Sequence, residues 1–318
     1  MSIFILLISL AGLFWAAHHL VRGAAGLAYN YNISPLIIGL TIVAIGTSAP
    51  EIMVGLTAAF EGRNELALGN VIGSNIANIG LVLGITILLR PLKIRSSILH
   101  REYPLLFLIM LFTYSLMLDG NLSVLDGCLL LLGCLALIGY FIVLARKSSN
   151  DIYAKEYKHA LNFKQVMSAN WLSLVFGLCI LPLSAHFLVD STVKLTAWMG
   201  ISELTAGLTI VAIGTSLPQL ATSLVAAYRG YDDIAIGNIL GSNMFNLLIV
   251  MAFPAIINPS AISHVILWRD IPVMFLITTV LLVVNYRYKK RIARWHGGLL
   301  LLIYCCYMIS LVVSAAYK

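Results

Sequence analysis

Two short stretches of the chain carry oxygen-bearing side chains inside strongly apolar surroundings. One reads Gly46-Thr-Ser-Ala-Pro-Glu51 and the other Gly214-Thr-Ser-Leu-Pro-Gln219. Proline lacks a backbone N–H and clashes with the preceding turn, so a helix should break or kink here and free backbone carbonyls. Carbonyls, hydroxyls and one carboxylate form an all-oxygen ligand set, which hard cations such as sodium and calcium prefer. These residues therefore suit cation binding.

The spacing of the polar residues places them on common helix faces. Thr47 and Ser48 precede Glu51 by four and three residues, and Ser74 and Asn78 are also four residues apart. A carboxylate inside a membrane is costly unless it is paired, protonated or bound to a cation, which favours a functional role for Glu51. A hydrolytic role for Ser48 or Ser216 is weaker, because no histidine–acid pair lies at motif spacing. We expect no enzymatic activity.

The chain contains an internal repeat. The ten residues 39–48 recur without change at 207–216. The same shift of 168 positions pairs Ser74 with Ser242 and Asn78 with Asn246, and by symmetry the second half supplies Thr215 and Ser216. Close helix packing explains the glycines of the repeat but not its hydroxyl, proline and carboxyl groups.

The elements that carry these residues are apolar enough to be membrane spans. The chain is 60% hydrophobic and 10% charged, which indicates lipid as its solvent. With about 20 residues needed per span, we predict an all-α membrane protein with ten transmembrane helices. They lie near residues 2–22, 34–60, 66–89, 103–118, 122–145, 167–195, 202–228, 234–257, 271–286 and 296–316.

Five spans in each half predict inverted halves, because an odd number makes the second half enter the membrane from the opposite side. The first five-helix repeat is expected over 1–145 with its motif at 39–84, and the second over 166–318 with its motif at 207–252. A linker at 146–165 joins them. The broken helices would then meet near the membrane midplane.

Basic residues predict the orientation. Of the 20 Lys and Arg residues, all but Arg63, Lys194, Arg269 and Lys318 fall on one side when the loops alternate. The positive-inside rule makes that side cytoplasmic, including the 146–165 linker, and leaves both termini outside. The formal net charge of +7 then belongs to the cytoplasmic rim and requires no nucleic-acid partner.

Paired motifs of this length resemble a known family. GTSAPE followed by GNVIGSNIANIG, and GTSLPQ followed by GNILGSNMFN, look like the two α-repeats of the calcium/cation antiporter superfamily, especially its bacterial sodium/calcium exchanger-like members. The resemblance spans essentially the whole chain and implies exchange of calcium for sodium or protons by alternating access. It also implies a shared set of cation ligands: the Ala44 carbonyl, Thr47, Ser48, Glu51, Ser74, Asn78, the Ala212 carbonyl, Thr215, Ser216, Gln219, Ser242 and Asn246.

One position departs from the family pattern. Gln219 pairs with Glu51 where the family has an acid, and Asn246, which can be acidic in relatives, is also neutral. Calcium held against one carboxylate leaves about one uncompensated charge in a low-dielectric site. Three explanations are open: a natural variant that moves a monovalent cation or a proton, a transport-deficient or regulatory homologue, and an engineered replacement of glutamate.

The sequence thus predicts a secondary cation antiporter of the bacterial inner membrane. The alternative is a membrane protein that binds or senses cations but is transport-deficient, or a monovalent-cation variant, because Gln219 replaces the second site glutamate. A channel fits less well because broken-helix inverted repeats suit alternating access. We expect transported cations and the lipid bilayer as partners, no cofactor, and no obligatory protein partner.

Overall fold

The structure, a computed structural model, describes residues 2–31, 33–93, 99–148, 167–197, 203–287 and 292–316. Helices dominate these ranges, and two short strands form an antiparallel ribbon. The helices are α1 (Ser2–Tyr31), α2 (Pro35–Thr47), α3 (Ala49–Phe60), α4 (Asn64–Leu89), α5 (Leu99–Met117), α6 (Val124–Ser148), α7 (Met167–Ala197), α8 (Gly207–Thr215), α9 (Leu217–Tyr228), α10 (Asp232–Ile257), α11 (Ile271–Arg287) and α12 (Arg294–Ala316). The strands are β1 (Asn121–Leu122) and β2 (Ser260–Ala261).

Many of these helices can cross a membrane. Among the described residues six are long and apolar enough: α4, α6, α7, α10, α12, and α11 together with the turn that precedes it. The number rises to eight if each of the bent pairs α2–α3 and α8–α9 is one span. The prediction of an all-helical membrane protein is confirmed at this level, with the small β1–β2 ribbon as an unpredicted addition.

The predicted helix breaks are present. α2 and α3 meet at Ser48 with a bend of 44°, and α8 and α9 meet at Ser216 with the same bend. Pro50 and Pro218 lie in the first turn of the helix after each break, where a missing N–H is tolerated because no intrahelical acceptor is available to it. The helix that follows each bend therefore begins two residues before Glu51 or Gln219, with the same spacing in both halves.

The helices α4 and α10 form the centre of the molecule. In each, 83% of the span is buried, against 22–28% in α6, α7 and α12, whose remaining surface is available to lipid. Glycines let these central helices approach the broken ones. A Cβ atom on Gly241 would lie 2.5 Å from the Leu40 carbonyl oxygen, and one on Gly73 would lie 2.8 Å from that of Leu208. The backbones of α2 and α10, and of α4 and α8, consequently touch.

The connecting segments gather at the two ends of α4. At its N-terminal end, Asn64 donates to the Asn258 carbonyl and to Ser260 Oγ (2.6 Å), and Ser260 pairs with β1. At the other end, Leu92 bridges to Ile292, and the Lys93 N–H donates to Asp232 Oδ2 at 2.8 Å. The repeat-related turns at Gly62 and Gly230, both with positive φ, thus belong to different ends.

Some local features differ from the expectations. π-Helical turns occupy 39–43, 78–83, 207–211, 246–250 and 266–270, and α1 extends nine residues beyond the predicted end at 22. Most of the predicted 146–165 linker lies outside the described residues. A π turn adds one residue to a helical turn, which helps to match helix surfaces, so it depends on tertiary contacts rather than on local pattern.

Candidate cation site

Glu51 and Gln219 face each other at the helix breaks. Both side chains are 0% exposed, and Gln219 Nε2 donates to Glu51 Oε1 at 2.6 Å and to the Thr47 carbonyl at 3.3 Å. Glu51 lies in the first turn of α3, where unpaired backbone N–H groups and the helix dipole favour negative charge. The predicted pairing of the two repeat-related positions is therefore a direct contact. The amide supplies a donor where a second carboxylate would supply only acceptors.

Three oxygen atoms surround the Thr47 hydroxyl. Its hydroxyl lies 2.8 Å from Asn238 Oδ1, 3.1 Å from the Ala44 carbonyl and 3.3 Å from Ser242 Oγ, and Ser242 Oγ lies 3.4 Å from that carbonyl. We call Ala44, Thr47, Asn238 and Ser242 the Thr47 cluster. It combines α2 from the first half with α10 from the second. Two hydroxyl protons serve four oxygens, so the cluster is rich in acceptors.

A repeat-related cluster surrounds Thr215. Its hydroxyl lies 3.2 Å from Asn70 Oδ1, 3.2 Å from Ser74 Oγ and 3.3 Å from the Ala212 carbonyl. We call Ala212, Thr215, Asn70 and Ser74 the Thr215 cluster. It combines α8 from the second half with α4 from the first. The side chains of Asn70 and Asn238 also reach the backbone carbonyls of Glu51 and Gln219, each at 3.4 Å, so both clusters connect to the central pair.

Several buried oxygens of the predicted ligands have no hydrogen-bond partner within the described part of the chain. They are Ser48 Oγ, Glu51 Oε2, Asn78 Oδ1, Ser216 Oγ, Gln219 Oε1 and Asn246 Oδ1. Buried polar atoms in proteins are paired in about nine cases of ten or more. Their concentration in one repeated motif gives the region unused capacity to hold a positive charge.

Asn78 and Asn246 belong to a second network between α4 and α10. Asn78 Nδ2 donates to Asn243 Oδ1 at 3.0 Å, and Asn246 Nδ2 donates to Asn75 Oδ1 at 3.2 Å. Asn75 and Asn243 in turn donate to each other's backbone carbonyls, at 3.3 and 3.1 Å. We call these four residues the asparagine clasp.

The structure thus adds four asparagines that the predicted ligand set omitted: Asn70, Asn75, Asn238 and Asn243. The available signal was the repeat itself, since Asn70 and Asn238, like Asn75 and Asn243, are paired by the same 168-residue shift as the predicted ligands. The predicted set was chosen by resemblance to known ligands, so it omitted the side chains that are hydrogen-bonded to those ligands.

Five further acids in the described part of the chain are buried, namely Glu102, Asp126, Asp232, Asp233 and Asp270. Glu102, near the start of α5, has both carboxyl oxygens unpartnered in the described structure. Asp270 accepts from Arg269 Nε at 2.7 Å and from the Tyr307 hydroxyl at 2.9 Å. Asp126 accepts from Ser123 and Asp232 from the Lys93 N–H. None of the hydrogen bonds described here joins these five acids to the threonine clusters or to Gln219, so Glu51 is the carboxylate of the described network.

Comparison with known proteins identifies the family. A family model described as sodium/calcium exchanger protein matches residues 1–145 and 169–313. The chain belongs to the sodium/calcium exchanger family. The resemblance seen in the motifs is therefore confirmed, and the chain is an integral membrane cation antiporter of this family rather than an enzyme, since its relatives are transporters.

Individual relatives of this exchanger match along nearly its whole length. The putative antiporter CaxA of Alkalimonas amylolytica is 43% identical over 316 residues, covering 98% of this chain and 99% of the relative. The inner membrane protein YrbG of Escherichia coli is 38% identical, covering 93% and 92%. A solved structure of the sodium-calcium exchanger NCX_Mj, soaked with sodium and strontium, superposes with a TM-score of 0.81 at 29% identity, covering 97% and 98%.

Proposed function

We propose that this exchanger moves calcium or a related cation against sodium or protons, through one site shared by the two halves. Its ligands would be the predicted set: Ala44, Thr47, Ser48, Glu51, Ser74, Asn78, Ala212, Thr215, Ser216, Gln219, Ser242 and Asn246. The observation that carries the proposal is the group of buried, unpartnered oxygens on Ser48, Glu51, Ser216, Gln219 and the two asparagines. A cation would satisfy them together.

The contacts suggest how one site could couple two ions. Gln219 Nε2 donates to Glu51 Oε1 in this structure, so a cation that binds this oxygen competes with the amide for it. The two threonine clusters lie on either side of this pair in the hydrogen-bond network. Ions that need the same carboxylate cannot both bind it fully, so the arrival of one would favour release of the other.

We further infer ten spans arranged as two inverted halves, 1–145 and 166–318. α1 and α5 would add to the eight spans counted above, since they are helices of 30 and 19 residues. The inversion is supported by the turns at Gly62 and Gly230, which are related by the repeat and belong to different ends of α4. It is also supported by the crossed composition of the threonine clusters.

The proposed orientation follows from charge. The end of the molecule that carries Arg90, Lys93 and Arg229 would face the cytoplasm of a bacterium, with the 146–165 linker on the same side. Both termini would then lie outside the inner membrane. We propose no cofactor and no obligatory protein partner, because the moved ions are substrates and each threonine cluster is complete within one chain.

A monovalent exchanger is the second candidate. Gln219 brings no charge to the site, so the described network holds one carboxylate and compensates one positive charge better than two. In this case sodium, potassium or protons would exchange, and calcium would bind weakly.

The test is exchange by purified protein in proteoliposomes. One set of vesicles is loaded with sodium and another has an acidic interior. Both receive radioactive calcium from outside, and sodium uptake is measured in parallel. We expect counterion-dependent uptake that is lost in Glu51→Gln and kept in Glu61→Gln, the same change at an exposed residue that follows α3. Uptake that persists in Glu51→Gln would refute the site, and uptake of sodium but not calcium would select the monovalent exchanger.

A further inference from the structure

The two central helices hold each other through reciprocal backbone contacts. Asn75 Nδ2 donates to the Asn243 carbonyl, and Asn243 Nδ2 donates to the Asn75 carbonyl. A backbone carbonyl can only accept a hydrogen bond, so it fixes which end of each asparagine amide faces it. The oxygen of each of these side chains is therefore directed away from the opposing carbonyl.

The fixed amides impose an orientation on two proposed ligands. Asn75 Oδ1 can only accept, so it requires the Nδ2 of Asn246, and Asn243 Oδ1 in the same way requires the Nδ2 of Asn78. A reversed Asn246 would set two acceptors against each other. Each ligand's other end, its Oδ1, is left buried and without a hydrogen-bond partner in the described structure.

The ligand oxygens lie one helical turn from the threonine clusters. Asn78 follows Ser74 by four residues on α4, and Asn246 follows Ser242 by four on α10, so each pair shares a helix face. All four side chains of the clasp are almost fully buried, at 1% exposure or less. Water therefore has little access to replace these contacts.

We propose that Asn75 and Asn243 are positioning residues that present the amide oxygens of Asn78 and Asn246 to the transported cation. This inference rests on the proposed function, because it assumes that Asn78 and Asn246 are ion ligands. Each of them orients a ligand on the opposite helix: Asn75 on α4 orients Asn246 on α10, and Asn243 on α10 orients Asn78 on α4. The clasp also explains a neutral residue at 246, since an ionised aspartate there would oppose Asn75 Oδ1.

A double-mutant cycle tests whether Asn75 acts through Asn246 on the opposite helix. The variants are Asn75→Ala, Asn246→Ala and their double, and the matched comparison within one helix is Asn78→Ala with the Asn75→Ala/Asn78→Ala double. The readouts are KM and maximal rate of cation uptake into vesicles, together with the cation-induced shift of the unfolding temperature in detergent. The second readout measures binding without transport.

We expect Asn75→Ala to raise KM roughly tenfold with a smaller change in maximal rate. Combined with Asn246→Ala it should add almost nothing, because its effect passes through Asn246. Combined with Asn78→Ala the effects should multiply. Multiplication in the Asn75/Asn246 pair, or an Asn75→Ala variant with a lower unfolding temperature but unchanged KM and unchanged cation-induced shift, would overturn the proposal.

Further variants and the wild type separate a failure of the positioning role from a folding defect and from a failure of the proposed function. Asn75→Asp, which when protonated can still donate to the Asn243 carbonyl and accept from Asn246, should bring KM back towards the wild-type value. If Asn75→Ala does not fold, the mirror series of Asn243 with Asn78 carries the same expectation. Wild-type protein that neither transports nor binds any tested cation would refute the proposed function itself, whatever the clasp variants do.

Discussion

Gln219 supplies a hydrogen-bond donor to the buried Glu51 carboxylate when no cation is bound. The amide donates to the carboxylate at 2.6 Å, so part of the cost of burying Glu51 is offset by the protein itself. A glutamate at 219 would place two acceptors at this distance, and close carboxylates stay together only with a proton or a cation between them. Position 219 therefore determines how strongly the buried site depends on a bound ion.

Gln219→Glu should make the stability of the protein depend on divalent cations. We expect its unfolding temperature to fall in chelator and to rise with calcium by more than that of the wild type, because a ligand that binds only the folded state stabilises it. Thermal unfolding across a calcium series measures this. Asn121→Asp, which adds an acid at an exposed position of strand β1, is the control. Equal calcium responses in all three proteins would mean that another group already compensates the missing charge.

Ser48→Ala should separate transport from stability. The Ser48 hydroxyl is buried but makes no hydrogen bond within the described structure, so its removal breaks no hydrogen bond there. We expect the unfolding temperature to change by less than about 2 °C, while KM for the transported cation rises. Thr86→Val, which removes a hydroxyl bonded to the Val82 carbonyl in the same buried core, should leave KM unchanged. A stability loss in Ser48→Ala without a change in KM would assign the hydroxyl a structural role.

At the scale of single residues, the sequence predicted the polar groups that gather in the structure. Residue type and the 168-residue shift were sufficient to select Thr47, Thr215, Ser74 and Ser242 from the sequence, because each has a repeat-related partner in an apolar segment. The crossed contacts were not predictable in this way. Which half's asparagine meets which threonine depends on how α2 packs against α10, and no local pattern carries that information.

The broken helices depend on close contacts between backbones. α10 approaches α2 so closely that a Cβ on Gly241 would lie 2.5 Å from the Leu40 carbonyl oxygen and 2.7 Å from the Ala44 Cβ. Ala44 supplies its carbonyl to the Thr47 cluster, so this helix contact sets the cluster's dimensions. The sequence predicted the breaks from Pro50 and Pro218, but not the π turns, which form where tertiary contacts favour an extra residue in a turn.

Gly241→Ala should lower both stability and transport. The added methyl group has rigid backbone and a neighbouring Cβ in its way, so α2 and α10 must separate and the Ala44 and Ser242 oxygens with them. Gly139→Ala is the matched control, because a Cβ there meets nothing within 4 Å. Gly139→Ala in α6 should keep transport and stabilise the helix slightly, because alanine has a higher helix propensity than glycine. Uptake assays and thermal unfolding of both variants check this, and wild-type behaviour of Gly241→Ala would contradict the close packing.

Across the whole molecule, connecting segments converge at the two ends of α4. The ribbon and the Asn64 contacts lie at one end, and the Leu92–Ile292 bridge and the Lys93–Asp232 contact lie at the other. Composition and loop charge predicted a membrane protein with alternating loops. They could not predict which loops touch, because such contacts join residues far apart in sequence.

Cysteine labelling should assign the two ends to the two sides of the membrane. In a background without the five native cysteines, Asn121→Cys should react with a membrane-impermeant thiol reagent in intact cells, and Lys93→Cys only after permeabilisation. Both positions are exposed, so the reagent can reach each from its own side. The opposite labelling pattern would reverse the proposed orientation, and labelling of both from outside would contradict the alternation of loops.

The contact between Glu51 and Gln219 also has a consequence for biogenesis. Glu51 is synthesised 168 residues before Gln219, the side chain that donates to it. At about 5–20 residues per second, the ribosome needs roughly 8–34 seconds to supply that partner. During this interval the nascent first half has to carry a lone acid in a membrane-inserted helix, so Glu51 must stay protonated or in contact with water until the second half arrives.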